Sequence, residues 1–94
     1  VAVSSCTAAL HLSLTTVGAG PGTGVVTSPL TFASTANVVL HRGAELYLVD
    51  VDRDTMNLSP AGLERFLEHE CERDPAGGRP RHRRSGAEIV AVIP

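Results

Sequence analysis

The sequence predicts an α/β fold, a mainly parallel sheet accompanied by three helices. Three observations carry that expectation. Strand-like and helix-like segments alternate along the chain, the pattern of βαβ units. The segment Glu45–Val51 holds Leu46, Tyr47, Leu48 and Val49 in a near-continuous apolar run, as parallel strands covered on both faces do. Glycine stands where the first two helices should stop, at Gly18 and Gly43.

Val1–Val3 is a short apolar run. Ser5 to Val17 reads as a helix, with Leu10, Leu14 and Val17 on one face and Ser5 or Thr7 as its N-cap. Gly20-Pro21-Gly22 is a turn, and Val25–Ser28 a strand ended by Pro29. Ser34 to Arg42 reads as a second helix, apolar nearly all round at Ala36 to Leu40, as a buried helix is. Ser59 caps a third helix with Pro60 at its first position, and Leu63, Phe66 and Leu67 form its apolar stripe. Asp74 to Gly86 is rich in Pro, Gly and Arg and reads as an exposed loop insert; Glu88–Ile93 is the last strand.

With 94 residues the chain suits one small domain or a piece of a larger one. Eight arginines against ten acidic residues leave a net charge of −2, which offers no bulk attraction to nucleic acid or anionic membranes. Lysine is absent, so chemistry that needs a lysine amine cannot run on this chain alone. Cys6 and Cys71 form no CxxC pair, which argues against a zinc site and favours a reduced, cytoplasmic setting. No apolar run approaches the roughly 20 residues of a membrane span. The chain opens on Val1 and ends on a strand, and reads as cut at both ends.

Ser4-Ser5-Cys6-Thr7-Ala8 lies where an apolar run passes into a helix, so free N–H groups and the helix dipole favour an anion there. An ordinary N-cap explains the same residues. Phe32 follows the second strand, where ligands of open α/β sheets bind; its ring could stack on a planar cofactor or fill the core. Asp50 to Thr55 resembles a calcium loop at three positions but lacks its Gly and Glu, and reads as a polar loop with Asp54 or Thr55 bonding local backbone. The basic run Arg79 to Arg84 reads as a solvated loop. The four histidines have no partners at metal spacing.

As a set, these motifs resemble the DegT/StrS family of sugar-nucleotide aminotransferases. The resemblance rests on Ser4 to Leu12, Val17 to Gly22, Thr27 to Asn37, Gly43-Ala44, Val49 to Thr55 and Ile89 to Pro94. Asp54 to Pro60 and the insert from Glu68 to Gly86 look most like the branch that serves nonulosonic (legionaminic-type) acid synthesis. The resemblance implies part of the three-layer large domain of type I aminotransferases, occupying residues 1–94. It implies pyridoxal phosphate as cofactor, a nucleotide-sugar substrate, an amino-acid donor such as glutamate, and a homodimer for the complete protein. It places Cys6 and Thr7 at the cofactor phosphate and Phe32 on the pyridine ring. Cys6 stands where the family usually carries Gly or Ala, and a small thiol leaves the backbone N–H available. No catalytic residue is expected within the chain, because the family's lysine lies further on. The resemblance also implies a sheet with the Val25 strand central and Val1–Val3 without a strand partner. A non-catalytic α/β phosphate- or nucleotide-binding module is the competing reading, and a purely structural piece is a third.

Overall fold

A computed structural model describes residues 1–94. The chain forms α1 (Cys6–Thr16), β1 (Thr23–Thr27), α2 (Ala33–His41), β2 (Glu45–Leu48), α3 (Pro60–Arg65), a π-helical turn (Phe66–Glu70), β3 (Cys71–Glu72), β4 (Arg81–His82) and β5 (Glu88–Ile93). The sheet order is β2-β1-β5-β4-β3. β2, β1 and β5 are parallel, and β4 and β3 add antiparallel to the side of β5. β1 is therefore central among the parallel strands, and Val1–Val3 pairs with none of them, as the family's order implies.

The two helices before β1 and β2 stop by the same device. Gly18 and Gly43 sit at φ +80° and +72°, a region that costs glycine little because it has no Cβ. Each is followed by a buried alanine, Ala19 or Ala44, whose N–H reaches back to Leu14 or Val39. This pattern satisfies carbonyls that a helix end otherwise leaves without donors. Ser5 caps α1 by accepting the Ala8 N–H at 3.1 Å, and Ser59 caps α3 by accepting the Gly62 N–H at 3.1 Å.

Adjacent residues of β1 face opposite sides, which makes three layers. Val25 packs with Leu14, Val38 and Val39 of α1 and α2. Val26 packs with Val49, Leu58, Phe66, Cys71 and Ile89 beneath α3 and the π-helical turn. Helix α2 is not buried all round: Thr35, Val38 and Val39 face the core while Asn37 and Leu40 face outward. β2 ends at Leu48 and is half exposed, because it is the outermost parallel strand. No helix is long and apolar enough to cross a membrane.

The stretch 74–86 departs from a plain loop. Most of it is exposed, but Arg81–His82 forms β4, which pairs with Cys71–Glu72 and, through Arg81, with Glu88. All of the run's basic side chains but Arg84 are paired internally: Arg79 and Arg81 meet Glu88, Arg83 meets Glu72, and His82 faces Glu70 at 3.7 Å. In the loop after β2, Asp52 rather than Asp54 holds the backbone, accepting the N–H groups of Asp54 and Thr55; the Thr55 hydroxyl accepts that of Asn57.

Candidate functional site

α1 and α2 lie side by side with their C-terminal ends tied together, since Arg42 Nε donates to the Ala19 carbonyl at 3.0 Å. Ser5 and Thr7 at the start of α1 share a groove with Ser34 at the start of α2, so the helices point the same way. α2 starts where β1 ends, so both N-termini lie at the carboxyl edge of the parallel strands, where ligands of open α/β sheets bind.

The groove between the helices has a volume of about 600 Å³. Ser5, Thr7 and His11 line it from α1 and its cap; Ser34, Asn37 and His41 line it from α2. Ser5 is used twice by the helix, its hydroxyl by Ala8 and its carbonyl by Ala9. The N–H groups of Cys6 and Thr7 precede every acceptor within the helix and remain for an anion. Thr7 lies in the first turn of α1 and lines the groove, while the N-cap of the helix is Ser5. The Cys6 side chain is exposed and does not line the groove.

Phe32 is 81% exposed and begins α2 without a side-chain cap. No other part of these 94 residues covers this ring. It stands at the same edge as Thr7 but outside the groove lining. Beside it the Thr31 and Thr35 hydroxyls pair at 3.0 Å. Two free N–H groups, a hydroxyl and a bare aromatic face at one edge form a donor set that fits a phosphorylated planar cofactor. Ser34, Asn37 and His41, which line the groove along α2, were not marked by sequence. Their spacing puts them on one face of α2, but which neighbour that face meets depends on how α1 lies.

A second polar cluster occupies the opposite edge, where β2 and β5 begin. Tyr47 donates to the Glu45 carboxylate and lies 2.9 Å from the Ser85 hydroxyl, which in turn lies 3.3 Å from His82 Nδ1. Tyr47 and His82 rings sit 4.6 Å apart. The hydrogen bonds from Tyr47 and Ser85 hold the Glu45 carboxyl below the usual range. Partial burial, then the Glu45 carboxylate, push Tyr47 up to about 12. Burial likewise raises the Cys71 thiol, with Glu70 adding to it, so this cysteine is not an activated nucleophile.

Tyr47 is the single tyrosine, which makes its ionisation directly readable. Ultraviolet titration should show it ionising near 12 rather than near 10. A group whose folded pKa is raised stabilises the fold below its unfolded value. Stability should therefore decline as pH rises from about 10 through about 12. Ionisation near 10 in the folded chain would contradict the partial burial of Tyr47 together with its contact to Glu45.

Comparison with known proteins gives consistent likenesses. Residues 1–72 match the model of the DegT/DnrJ/EryC1/StrS aminotransferase family. The spore coat polysaccharide biosynthesis protein SpsC of Bacillus subtilis (strain 168) is 56% identical over 64 residues, 68% of this chain and 16% of that protein. A DegT DnrJ EryC1 StrS aminotransferase from Brucella abortus superposes with a TM-score of 0.73 at 38% identity, over 94% of this chain and 21% of its own. A candidate sugar aminotransferase of Streptococcus pneumoniae, Spr1654, solved in its PLP form, superposes with a TM-score of 0.60 at 36% identity, over 63% of this chain and 15% of its own. The chain thus spans about a sixth to a fifth of the length of these relatives.

Proposed function

Because the chain belongs to the DegT/DnrJ/EryC1/StrS aminotransferase family, we propose that it supplies the phosphate-holding edge of a pyridoxal phosphate site. The complete enzyme transfers an amino group, with glutamate as donor, to a keto-sugar nucleotide. It works in the cytoplasm as a homodimer. The observation that carries this reading is the convergence of the α1 and α2 N-termini beside the exposed Phe32. The SpsC likeness favours a sugar destined for a surface polysaccharide. Asp54 to Pro60 and the insert after Glu68 favour the nonulosonic acid branch.

Each residue has a distinct part in this proposal. The Cys6 and Thr7 N–H groups and the Thr7 hydroxyl hold the phosphate, and the dipole of α1 adds to its binding. Phe32 covers one face of the ring, excludes water there and fixes its plane. Bound pyridoxal phosphate supplies the electron sink for the amino-group chemistry, which no side chain of this chain provides. For the 94 residues taken alone, the absence of lysine favours the second reading, a module that holds phosphate without turnover.

Thr7→Val in the complete protein tests the assignment, since it removes the hydroxyl and keeps the shape. Cofactor affinity, read by equilibrium absorbance or fluorescence titration, should weaken by about 1–3 kcal/mol, as for a lost hydrogen bond to a charged group. An unchanged dissociation constant would remove Thr7 from the phosphate site.

A further inference from the structure

The cluster at the amino edge of the sheet lies at the edge opposite the residues proposed to hold the cofactor. We propose that Ser85 is a phosphoryl-acceptor site for a serine kinase that reads arginine. In this role, its modification would release the β3–β4 hairpin from β2.

Two features make Ser85 an acceptor. It is exposed on the turn that joins β4 to β5. The residues before it are Arg81, His82, Arg83 and Arg84, a cationic approach of the kind by which kinases select substrates. Arg81 and Arg83 are half exposed although paired with Glu88 and Glu72, and Arg84 makes no ion pair. The reaction balances with a nucleoside triphosphate as co-substrate. Ser85 Oγ attacks the γ-phosphorus, the bond from that phosphorus to the bridging oxygen breaks, the nucleoside diphosphate leaves, and the hydroxyl proton passes to the kinase base.

The consequence follows from counting protons. Tyr47 has one hydroxyl proton and gives it to the Glu45 carboxylate. The Tyr47 oxygen is therefore an acceptor toward Ser85. His82 Nδ1 is also an acceptor, because it faces the Ser85 N–H at 3.4 Å. The Ser85 hydroxyl, with its one proton, is the donor available to the Tyr47 oxygen at 2.9 Å, while His82 Nδ1, 3.3 Å from that hydroxyl, already faces the Ser85 N–H. A phosphoserine has no such proton. It also brings a charge of about −1.5 to −2 close to Glu45, which shares Tyr47 with it and repels it, and directly after Arg83 and Arg84 in the chain, which attract it. Both effects act against the Tyr47–Ser85 contact. That contact holds the hairpin to the parallel strands together with the pairing of 80–82 with 87–89, the ion pairs of Arg79 and Arg81 with Glu88, and the packing of Cys71 in the Val26 cluster.

The turn also hinders a kinase while it is closed, since Gly86 N–H to His82 O and His82 N–H to Ala87 O, both 2.8 Å, keep it compact. Tyr47→Phe removes the anchor and should speed modification. The chain is incubated with Mg²⁺, γ-labelled ATP and an arginine-directed serine kinase, and label is located by peptide mapping. Label is expected at Ser85, absent in Ser85→Ala, and slower by about tenfold in Arg84→Ala, the loss of roughly one charge-assisted contact. Tyr47→Phe should be labelled faster than the parent. In the labelled chain, the amides of His82 and Gly86 should exchange faster with solvent. Absence of label at Ser85, or equal rates in the parent and Tyr47→Phe, overturns the proposal. Exchange unchanged by phosphorylation overturns the release of the hairpin.

Discussion

Replacing Phe66 with Ala should destabilise the chain by about 3–5 kcal/mol, the range found for buried aromatic rings cut back to a methyl group. Phe66 is 7% exposed and closes the second half of the core, against Val26, Val49, Leu58, Cys71 and Ile89. Its ring lies 5.3 Å from that of Tyr47 and stacks 6.2 Å from His82. The two rings beside it are held in place: Tyr47 is anchored by Glu45 and Ser85, and His82 by the strand pairing of β4. Small domains are stable by about 0.05–0.15 kcal/mol per residue, so such a loss removes much of the total. Urea denaturation of the two forms measures it. Phe66→Leu, which keeps most of the volume, should cost far less. A Phe66→Ala midpoint within error of the parent would show that this cluster contributes little to the fold.

The second expected result is all-or-none. The chain mixed with pyridoxal phosphate and reduced with borohydride should carry no cofactor on any side chain. A stable covalent link in this family's chemistry needs a lysine amine, and the sequence has none. The amine of Val1 is the one primary amine present, and peptide mapping distinguishes it from side-chain attachment. Cofactor found on a side chain would overturn the reading. This result is independent of Thr7→Val, which concerns phosphate binding in the complete protein. Affinity could fail there while the lysine argument stands.

Much of the architecture was legible because it rests on local chemistry. Ser5, Ser59 and Pro60 mark helix starts, and Gly18 and Gly43 mark helix ends, each through a backbone need that neighbours in sequence satisfy. Strand order came from the family resemblance and agrees with the pairing found. Features that depend on distant partners were not legible. Gly24 belongs to β1 although glycine weakens strands. A Cβ there would lie 2.5 Å from the Tyr47 ring, so its absence makes room for a residue 23 positions away. β3 and β4 have two residues each, too few to show a period of two. At the candidate site, the helix N-terminus at Thr7 could be read from the sequence, but the choice between a core and an exposed Phe32 could not. That choice depends on what packs over the start of α2, and within these 94 residues nothing covers Phe32.

The β3–β4 hairpin has a consequence for how such a chain can vary. Its antiparallel ladder meets the parallel strands only at the start of β5, through Arg81 and Glu88. The match to the family model stops at residue 72, just before the hairpin's connecting segment. Residues 75–79 are exposed and belong to no strand. Doubling such a loop costs only about 0.6 kcal/mol in closure entropy. Length can therefore drift at this point across evolutionary time while the strand order stays the same. It is also the natural position for grafting an epitope or a fluorescent reporter without disturbing the helix N-termini on the far edge.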